Sequence, residues 1–284
     1  MIAKISKEYM KKLSSQQIQT FQAKIFNWYA QNKRDLPWRL THDPYKILVS
    51  EVMSQQTQIV RVIPKFEAWI VRFPDISTLG VASNADVLRY WSGLGYNRRA
   101  LYLQKCAEEI VSRYQGKFPQ SEEELLTLPG IGIYTARAVL SFAFEKNVVV
   151  IDTNVRKVIL VEFKNYLPVT ITNKDIEIMA EQLLPKENAY DWNQALMDYS
   201  SAVLKKEKIS LKKQVRFKGS DRYYRGGIMR LLIKHKNLTI GEIHALLITE
   251  EKKEIESNKL AEILGRLVKD RLVKYDTNTQ LYTL

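Results

Sequence analysis

Apolar residues recur at helical spacing along the first two thirds of the chain, and strand-like alternation is nearly absent before residue 145. One such stripe predicts a helix over residues 1 to about 35, behind a basic tail. A second helix is predicted to begin at Asp43-Pro44-Tyr45, because proline is tolerated in a first helical turn. The hydrophobic pattern therefore predicts a mainly α fold. The first stripe consists of Ile18, Phe21, Ile25, Phe26 and Tyr29.

The segment around Leu128-Pro129-Gly130-Ile131-Gly132 predicts two helices joined by a glycine hairpin. Ser121 followed by Glu124 has the form of a capping box, and helical spacing resumes from Tyr134. Glycines let a backbone approach another surface closely, and the amides at a helix N-terminus favour an anion. The same five residues could equally be an ordinary tight turn between helices.

The pattern changes after the basic, unpatterned stretch 205–218, which has the character of a linker or a phosphate-facing connection. Three helices are predicted at about 222–236, 239–248 and 258–270, followed by two short strands around Asp276-Thr277-Asn278-Thr279. This is the element order of a winged helix-turn-helix, a module that binds DNA in some proteins and other proteins elsewhere. The sequence thus predicts one domain over 1–214 and a winged-helix-like domain over 215–284.

Composition narrows the class of partner. The 284 residues include 44 Lys and Arg against 31 Asp and Glu, a formal charge of +13, which favours an acidic polymer or an anionic membrane surface. No apolar run is long enough to span a bilayer, and the N-terminal residues lack a signal-peptide core. A single cysteine allows neither an internal disulfide nor a multi-cysteine metal site. We therefore expect a cytoplasmic, nucleoid-associated protein that binds nucleic acid rather than membrane.

Three polar stretches are candidates for chemistry. Glu51 is flanked by apolar residues within the second predicted helix, although a solvated helix glutamate is the simpler interpretation. Asp152 follows the apolar run 148–151, so packed scaffolding would carry its carboxylate. In Gly93–Arg99 a tyrosine, Tyr96, stands beside two arginines in a glycine turn. Such a loop suits base stacking and phosphate pairing, or it pins itself to the core.

Six motifs, in order and at family-like spacing, closely resemble the helix-hairpin-helix DNA glycosylases, and among them the adenine (MutY-type) branch. The resemblance covers about residues 20 to 205. It implies that the hairpin binds the DNA backbone and that a nucleotide is flipped into a pocket, where its N-glycosidic bond is broken. The motifs are LPWR at 36–39, DPYKILVSEVMSQQTQIVRVIPKFEAW at 43–69, WSGLGYNRRALYL at 91–103, LPGIGIYTARAVLS at 128–141, VIDTNVRKV at 150–158 and WNQALMDYSSAVL at 192–204.

The resemblance implies a role for individual residues. Glu51 corresponds to the glutamate that protonates the purine and handles the water, and Asp152 to the aspartate that stabilises the cationic sugar, with Asn154 close by. Tyr134 stands where bifunctional lyases carry a Schiff-base lysine, which implies a monofunctional enzyme. The remaining correspondences are Gln56 and Tyr96 as wedges in the base stack, Trp38, Arg39 and Gln194 in the adenine pocket, and the hairpin glycines Gly130 and Gly132 at the DNA backbone. Arg98 and Arg99 are expected to bind DNA from the composition of their loop.

The division between two carboxyl groups also has a physical reason. Breaking a glycosidic bond builds positive charge on the sugar, and adenine leaves poorly unless its ring is protonated. One carboxyl group must therefore donate a proton, which an apolar setting favours, as around Glu51. The other must stay ionised, and a helix predicted to begin after Asp152 favours its negative charge.

Two departures from the family accompany the resemblance. Many members carry a four-cysteine iron–sulfur loop after the region matching Ala195–Leu204, whereas this chain has only Cys106, so we expect no cluster and no other cofactor. The resemblance still admits a structural cation at the hairpin. We hypothesise that nearby lysines replace the positive surface of that loop: Lys205, Lys206, Lys208, Lys212 and Lys213. The C-terminal tail is also too short for the Nudix-like domain that recognises 8-oxoguanine.

Three functions remain open from the sequence. The first is a monomeric hydrolase that removes adenine opposite 8-oxoguanine or guanine in duplex DNA, favoured by Glu51 and Gln194. The second is a thymine or uracil mismatch glycosylase, compatible with Tyr134 and with the missing Nudix-like domain. The third is a non-catalytic DNA-binding regulator on the same scaffold, which the tail favours and the retained Glu51 and Asp152 disfavour.

Overall fold

The computed structural model describes residues 11–207 and 216–284, which divide into two compact units. Unit 1 draws on Met1–Leu48, Gln120–Thr127 and Ile131–Leu211. Unit 2 draws on Val49–Pro119, Leu128–Gly130 and Lys212–Leu284. Among the described residues, no helix is both long and apolar enough to cross a bilayer.

Unit 1 is built around α1 (Ser15–Asn32) and α11 (Ala189–Ala202), which pack against each other. In addition, α11 packs against α9 (Thr153–Glu162) and α1 against α10 (Asn173–Leu183). A capping box of Ser14 and Gln17 starts α1, and its predicted stripe is the face that turns inward, with Ile25 fully buried. The helices of unit 1 are α1 (Ser15–Asn32), α7 (Glu122–Leu126), α8 (Ile133–Phe144), α9 (Thr153–Glu162), α10 (Asn173–Leu183) and α11 (Ala189–Ala202), with 3₁₀ turns at Pro37–Leu40 and Lys164–Tyr166.

The first part of unit 2 is a helical layer over residues 49–119. The helix α2 (Pro44–Ser54) enters this unit at Val49, and α3 (Ile59–Arg72), α4 (Ile76–Gly80), α5 (Asn84–Trp91) and α6 (Arg98–Tyr114) follow. Trp69 lies edge-on to Trp91 with ring centroids 5.6 Å apart, and both rings are fully buried. These aromatic contacts close the core from which the loop after α5 projects.

The C-terminal part of unit 2 has the predicted order of three helices and a hairpin. These elements are α12 (Asp221–His235), α13 (Ile240–Thr249), α14 (Ser257–Lys269), β1 (Lys274–Asp276) and β2 (Leu281–Thr283). The strands are antiparallel, with Tyr275 opposite Tyr282. The predicted boundary at 214/215 lies outside the described residues, as do Lys208, Lys212 and Lys213, whereas Lys205 and Lys206 are exposed.

Candidate active site and nucleic-acid interface

Asp152 is the N-cap of α9, in an extended backbone conformation. Its Oδ1 accepts hydrogen bonds from the backbone N of Asn154 at 2.8 Å and of Val155 at 2.7 Å. Its Oδ2 accepts one from Nδ2 of Asn154 at 2.8 Å. The structure therefore brings two of the predicted catalytic residues, Asp152 and Asn154, into direct contact, with three donors holding one carboxylate in a single orientation.

The ionisation of Asp152 is set by two opposing causes. Burial raises the pKa of its carboxyl group, while the hydrogen bonds from Val155 and Asn154 lower it, and burial prevails. The ionised form of Asp152 is therefore less favoured than that of an ordinary exposed aspartate. A charge held under these conditions is stabilised strongly by any positive charge that develops next to it, since little water screens the two.

The segment that leads to Asp152 is fastened by Asn193, a residue of α11 that is 1% exposed. The Oδ1 of Asn193 accepts from the backbone N of Val150 at 3.0 Å, and its Nδ2 donates to the carbonyl oxygen of Val148 at 2.9 Å and to Oγ of Ser141 at 3.1 Å. One buried amide thus replaces the strand partner that this extended segment lacks. Asn193 is not among the site residues predicted from the sequence, although it is a polar residue beside the apolar Trp192 and Ala195 in a predicted motif.

Arg39 lies in the 3₁₀ turn Pro37–Leu40 and forms a bidentate ion pair with Asp198 of α11. Its Nη1 is 2.7 Å from Oδ2 and its Nη2 is 2.9 Å from Oδ1, and the Arg39 side chain is 6% exposed. Burial would raise the pKa of Asp198, but hydrogen bonds from Arg39 and Arg34 lower it below its ordinary value. The guanidinium of Arg39 is thus committed to Asp198, and the adjacent Trp38 ring is also buried.

Gln194 follows Asn193 on α11 and is 4% exposed. Its Oε1 accepts a hydrogen bond of 3.4 Å from the hydroxyl group of Tyr29 on α1. Burial raises the pKa of Tyr29, so this hydroxyl keeps its proton and remains a donor. With its Oε1 so engaged, the Gln194 amide is fixed in orientation by the core of unit 1.

Glu51 lies on the α2 segment of unit 2 and is half-buried, whereas Val52 and Met53 beside it are buried. The carbonyl oxygens of both neighbours accept hydrogen bonds from the Arg99 guanidinium, that of Met53 at 3.2 Å. Arg99 therefore fastens the end of the helix that carries Glu51. Its burial lowers the pKa of the guanidinium to about 10.

The same guanidinium also donates to the carbonyl oxygen of Gly95 and to Oγ1 of Thr57, both at 3.2 Å. Of the two alternatives for the glycine turn, pinning the loop to the core describes Arg99. Tyr96, by contrast, is 40% exposed and adopts a positive φ of 48°. Arg98 is exposed as well, with its Nη2 donating to the hydroxyl group of Tyr102 at 2.8 Å.

The hairpin glycines differ in what surrounds them. Gly130 has a φ of +79°, and a Cβ added there would lie 2.7 Å from Cβ of Tyr102, so only glycine fits. Gly132 is the N-cap of α8 at a φ of −103°, and a Cβ there would meet open space. Tyr134, two residues after Gly132, is half-buried on α8. Gln56, in the turn after α2, is exposed at a positive φ of 53°.

The donor set does not suit an iron–sulfur cluster, because four thiolates are needed and the sequence holds one cysteine. That residue, Cys106, is buried in α6, where burial raises the pKa of its thiol to about 12. Within residues 11–207 and 216–284, no group of three or more His, Cys, Asp and Glu side chains is placed to bind a metal ion.

Comparison with known proteins gives a consistent result. Residues 49–185 match the model of the HhH-GPD superfamily base excision DNA repair proteins. The adenine DNA glycosylase of Mycolicibacterium smegmatis is 43% identical over 180 residues, covering 63% of this chain and 61% of the relative. The adenine DNA glycosylase of Homo sapiens is 36% identical over 198 residues, covering 66% of this chain and 36% of the relative. The chain thus spans less than two thirds of these curated relatives.

Solved structures agree on the fold. A thermostable thymine-DNA glycosylase is 28% identical with a TM-score of 0.60, covering 65% of this chain and 86% of that one. Endonuclease III in a trapped covalent intermediate with DNA is 21% identical with a TM-score of 0.58, covering 66% and 86%. The predicted helix-hairpin-helix glycosylase fold is confirmed.

Proposed function

Because residues 49–185 form an HhH-GPD domain, we propose that this chain is a monofunctional DNA N-glycosylase that hydrolyses the bond between adenine and deoxyribose at a mispair, with 8-oxoguanine or guanine opposite. The observation that carries the proposal is the Asp152 carboxylate, held by three hydrogen bonds at the start of α9 in a segment that matches the family motif. The sequence similarity of this chain to adenine DNA glycosylases supports adenine as the base removed.

Asp152 is the anion that faces the developing oxocarbenium ion. Its donors fix its position before the reaction, so little reorganisation is needed when positive charge appears on the sugar. Asn154 orients the carboxylate through Nδ2, and Asn193 positions the backbone that carries it. In this division Asp152 is the catalytic residue, while Asn193 acts as a positioning residue.

Glu51 is the proton donor to the adenine ring and afterwards the group that handles the attacking water. It lies half-buried beside the buried side chains of Val52 and Met53. Tyr134 occupies the place of a Schiff-base lysine, so we infer hydrolysis without strand cleavage by a covalent amine intermediate.

The adenine pocket draws on Trp38, Arg39 and Gln194. Because the Arg39 guanidinium is paired with Asp198 and the Gln194 amide with Tyr29, these residues shape and stiffen the pocket wall. We further propose that Gln56, Tyr96, Arg98 and the hairpin glycines contact duplex DNA. The domain boundary lies near residue 214, and the protein works as a monomer associated with the nucleoid.

A thymine or uracil mismatch glycosylase is the second candidate. The observation in its favour is the structural similarity to a thymine-DNA glycosylase, since the match covers 86% of that protein. Such an enzyme would need no protonation of a purine ring, so the Glu51 carboxyl group would be less important for the rate.

A single-turnover assay on four duplexes, A·8-oxoguanine, A·G, T·G and U·G, separates these candidates, with alkali used to cleave abasic products. We expect release of adenine from the first two duplexes only. The matched variants are Glu51→Gln and Asp152→Asn, with Glu67→Gln, an exposed glutamate on α3, as the control. Equal rates for wild type and both active-site variants would exclude the assignment, and preferential release of thymine or uracil would favour the second candidate.

A further inference from the structure

The C-terminal domain contacts the loop that carries Tyr96. Nη1 of Arg222, in the first turn of α12, donates a hydrogen bond to the Tyr96 hydroxyl group. The Arg222 guanidinium also lies 5.4 Å from the centre of the Tyr96 ring. These residues are 126 positions apart in the sequence but belong to the same compact unit.

The guanidinium of Arg222 is shared by a second aromatic ring. It lies 5.7 Å from the centre of the Phe217 ring, and Phe217 is 58% exposed, which is high for a phenylalanine. Phe217 in turn packs edge-on against Tyr223 at 5.7 Å. We call Tyr96, Phe217 and Arg222 the aromatic–arginine patch.

A second contact anchors the domain next to this patch. Asp270, at the end of α14, lies 2.6 Å from Nη2 of Arg225 and 3.7 Å from Nη1 of Arg98. Asp270 therefore links α12, α14 and the beginning of α6. The patch is consequently a built surface rather than a chance approach of two loose side chains.

The chemistry of the patch suits a nucleic-acid strand. An exposed ring offers a face for a base, and a planar guanidinium that is stacked on rings still directs donors toward a phosphate. Further positive charges surround the patch, since Arg216 and Lys218 are both exposed. Two carboxylates lie near the patch, and both have cationic partners: Asp221, next to Arg222, is 2.9 Å from Nη2 of Arg266, and Asp270 is paired with Arg225 and Arg98.

We propose that the C-terminal domain is part of the DNA interface, with Arg222 holding Tyr96 in its exposed position and contacting a phosphate of the strand into which Tyr96 inserts. The proposal rests on DNA being the substrate, as proposed above. In this arrangement Phe217 extends the stacking surface beyond the domain over 1–214. The winged-helix-like module thus acts as a DNA-binding element through the start of α12.

Arg222→Gln in the full chain tests the proposal by fluorescence anisotropy on an undamaged duplex and on the same duplex with one abasic-site analogue. We expect a Kd about tenfold weaker for both and a slope of log K against log salt that is lower by about one, because one phosphate contact is lost. The matched control is Arg230→Gln, which removes the same charge from α12 at a residue paired with Glu251. It should leave the slope unchanged.

Two further variants separate a contact with DNA from a structural effect. Phe217→Ala removes an exposed ring and should weaken binding without changing the salt slope. Tyr96→Phe removes the hydroxyl group that accepts from Arg222 and should weaken binding less than Arg222→Gln does. Thermal unfolding of each variant should stay close to wild type.

Binding by Arg222→Gln as tight as wild type, or tighter, would overturn the proposal, and tighter binding would mean that the contact covers Tyr96 instead. The outcome is independent of the catalytic assignment, because binding to undamaged DNA is measured without base release. If no duplex in the four-member panel loses a base while Arg222→Gln still binds weakly, the proposed reaction fails and the DNA interface stands.

Discussion

The regions around Asp152 and around Tyr96 differ in how each holds its key side chain. Around Asp152, a charged group is partly withdrawn from water and accepts hydrogen bonds from Asn154 and Val155, while Asn193 holds the segment before it, all within unit 1. Around Tyr96, an aromatic ring is kept in solvent and held by a cation from a distant part of the chain. The first region is suited to fixed chemistry on one atom, and the second to a large, charged and variable surface.

The difference teaches where tolerance to substitution should lie. When one partner in a buried polar network is removed, the group left behind is unsatisfied, and the fold is destabilised by the full desolvation cost of that group. Exposed cation–π and hydrogen-bonded contacts contribute little to stability, so their loss should appear in binding instead. Substitutions near Asp152 should therefore change rate and folding, while those near Tyr96 should change affinity and its salt dependence.

The largest effect expected is that of Asp152→Asn on the rate of base removal. We expect a loss of about 10³-fold or more, because the amide cannot neutralise the sugar cation. Stability should be retained or improved, since asparagine also caps helices and the half-buried carboxylate is replaced by a neutral group. Single-turnover kinetics and urea unfolding measure the two; a rate within tenfold of wild type would refute the role of Asp152.

Asn193→Ala should produce the next largest effect, on stability. It leaves the backbone N of Val150 and the carbonyl oxygen of Val148 without their partner inside the core, which costs about 2 to 4 kcal/mol of the free energy of unfolding. We also expect a lower kcat with little change in affinity for DNA, since only the segment before Asp152 is loosened.

The control for Asn193→Ala is Asn147→Ala, an exposed asparagine of the same segment, which should unfold like wild type. Chemical denaturation with parallel single-turnover assays gives both readouts. An Asn193→Ala protein that is destabilised yet fully active would show that the amide supports the fold alone.

The two hairpin glycines make a matched pair with a smaller expected effect. Gly130→Ala should lower the free energy of unfolding by about 1 to 3 kcal/mol, since its φ is +79° and its Cβ would collide with Tyr102. Gly132→Ala has open space and an ordinary φ, so stability should be unchanged while affinity for duplex DNA falls. Thermal unfolding and anisotropy distinguish them; equal DNA affinity for Gly132→Ala and wild type would argue against close approach of the hairpin to DNA.

The pH dependence of the rate should show the smallest effect, a shift of one limb. Burial raises the pKa of Asp152, and catalysis needs its ionised form, so the rate should fall with decreasing pH at a less acidic pH than for an ordinary aspartate. Because the folded-state pKa is raised, protonation of Asp152 stabilises the fold, and this contribution increases as pH falls through that pKa. An acid limb at or below the usual aspartate value would contradict the shift.

The sequence predicted the elements and the local part of the site better than the distant contacts. The helical stripe of α1, the hairpin before α8 and the capping position of Asp152 follow from spacing within a few residues. Two hydrogen bonds, Arg222 to Tyr96 and Val150 to Asn193, join positions far apart in the chain. Hydrophobic periodicity does not encode such contacts. Arg99 was ambiguous because arginine next to a glycine turn serves carbonyl oxygens as well as phosphates.

The state of Cys106 has a consequence for where such a protein can work. Peroxide attacks thiolates, and a buried thiol whose pKa is raised to about 12 is almost entirely protonated at neutral pH. The sole sulfhydryl of the sequence is therefore a poor target for oxidants. A protein proposed to act on oxidised DNA thus offers oxidants no reactive thiolate of its own.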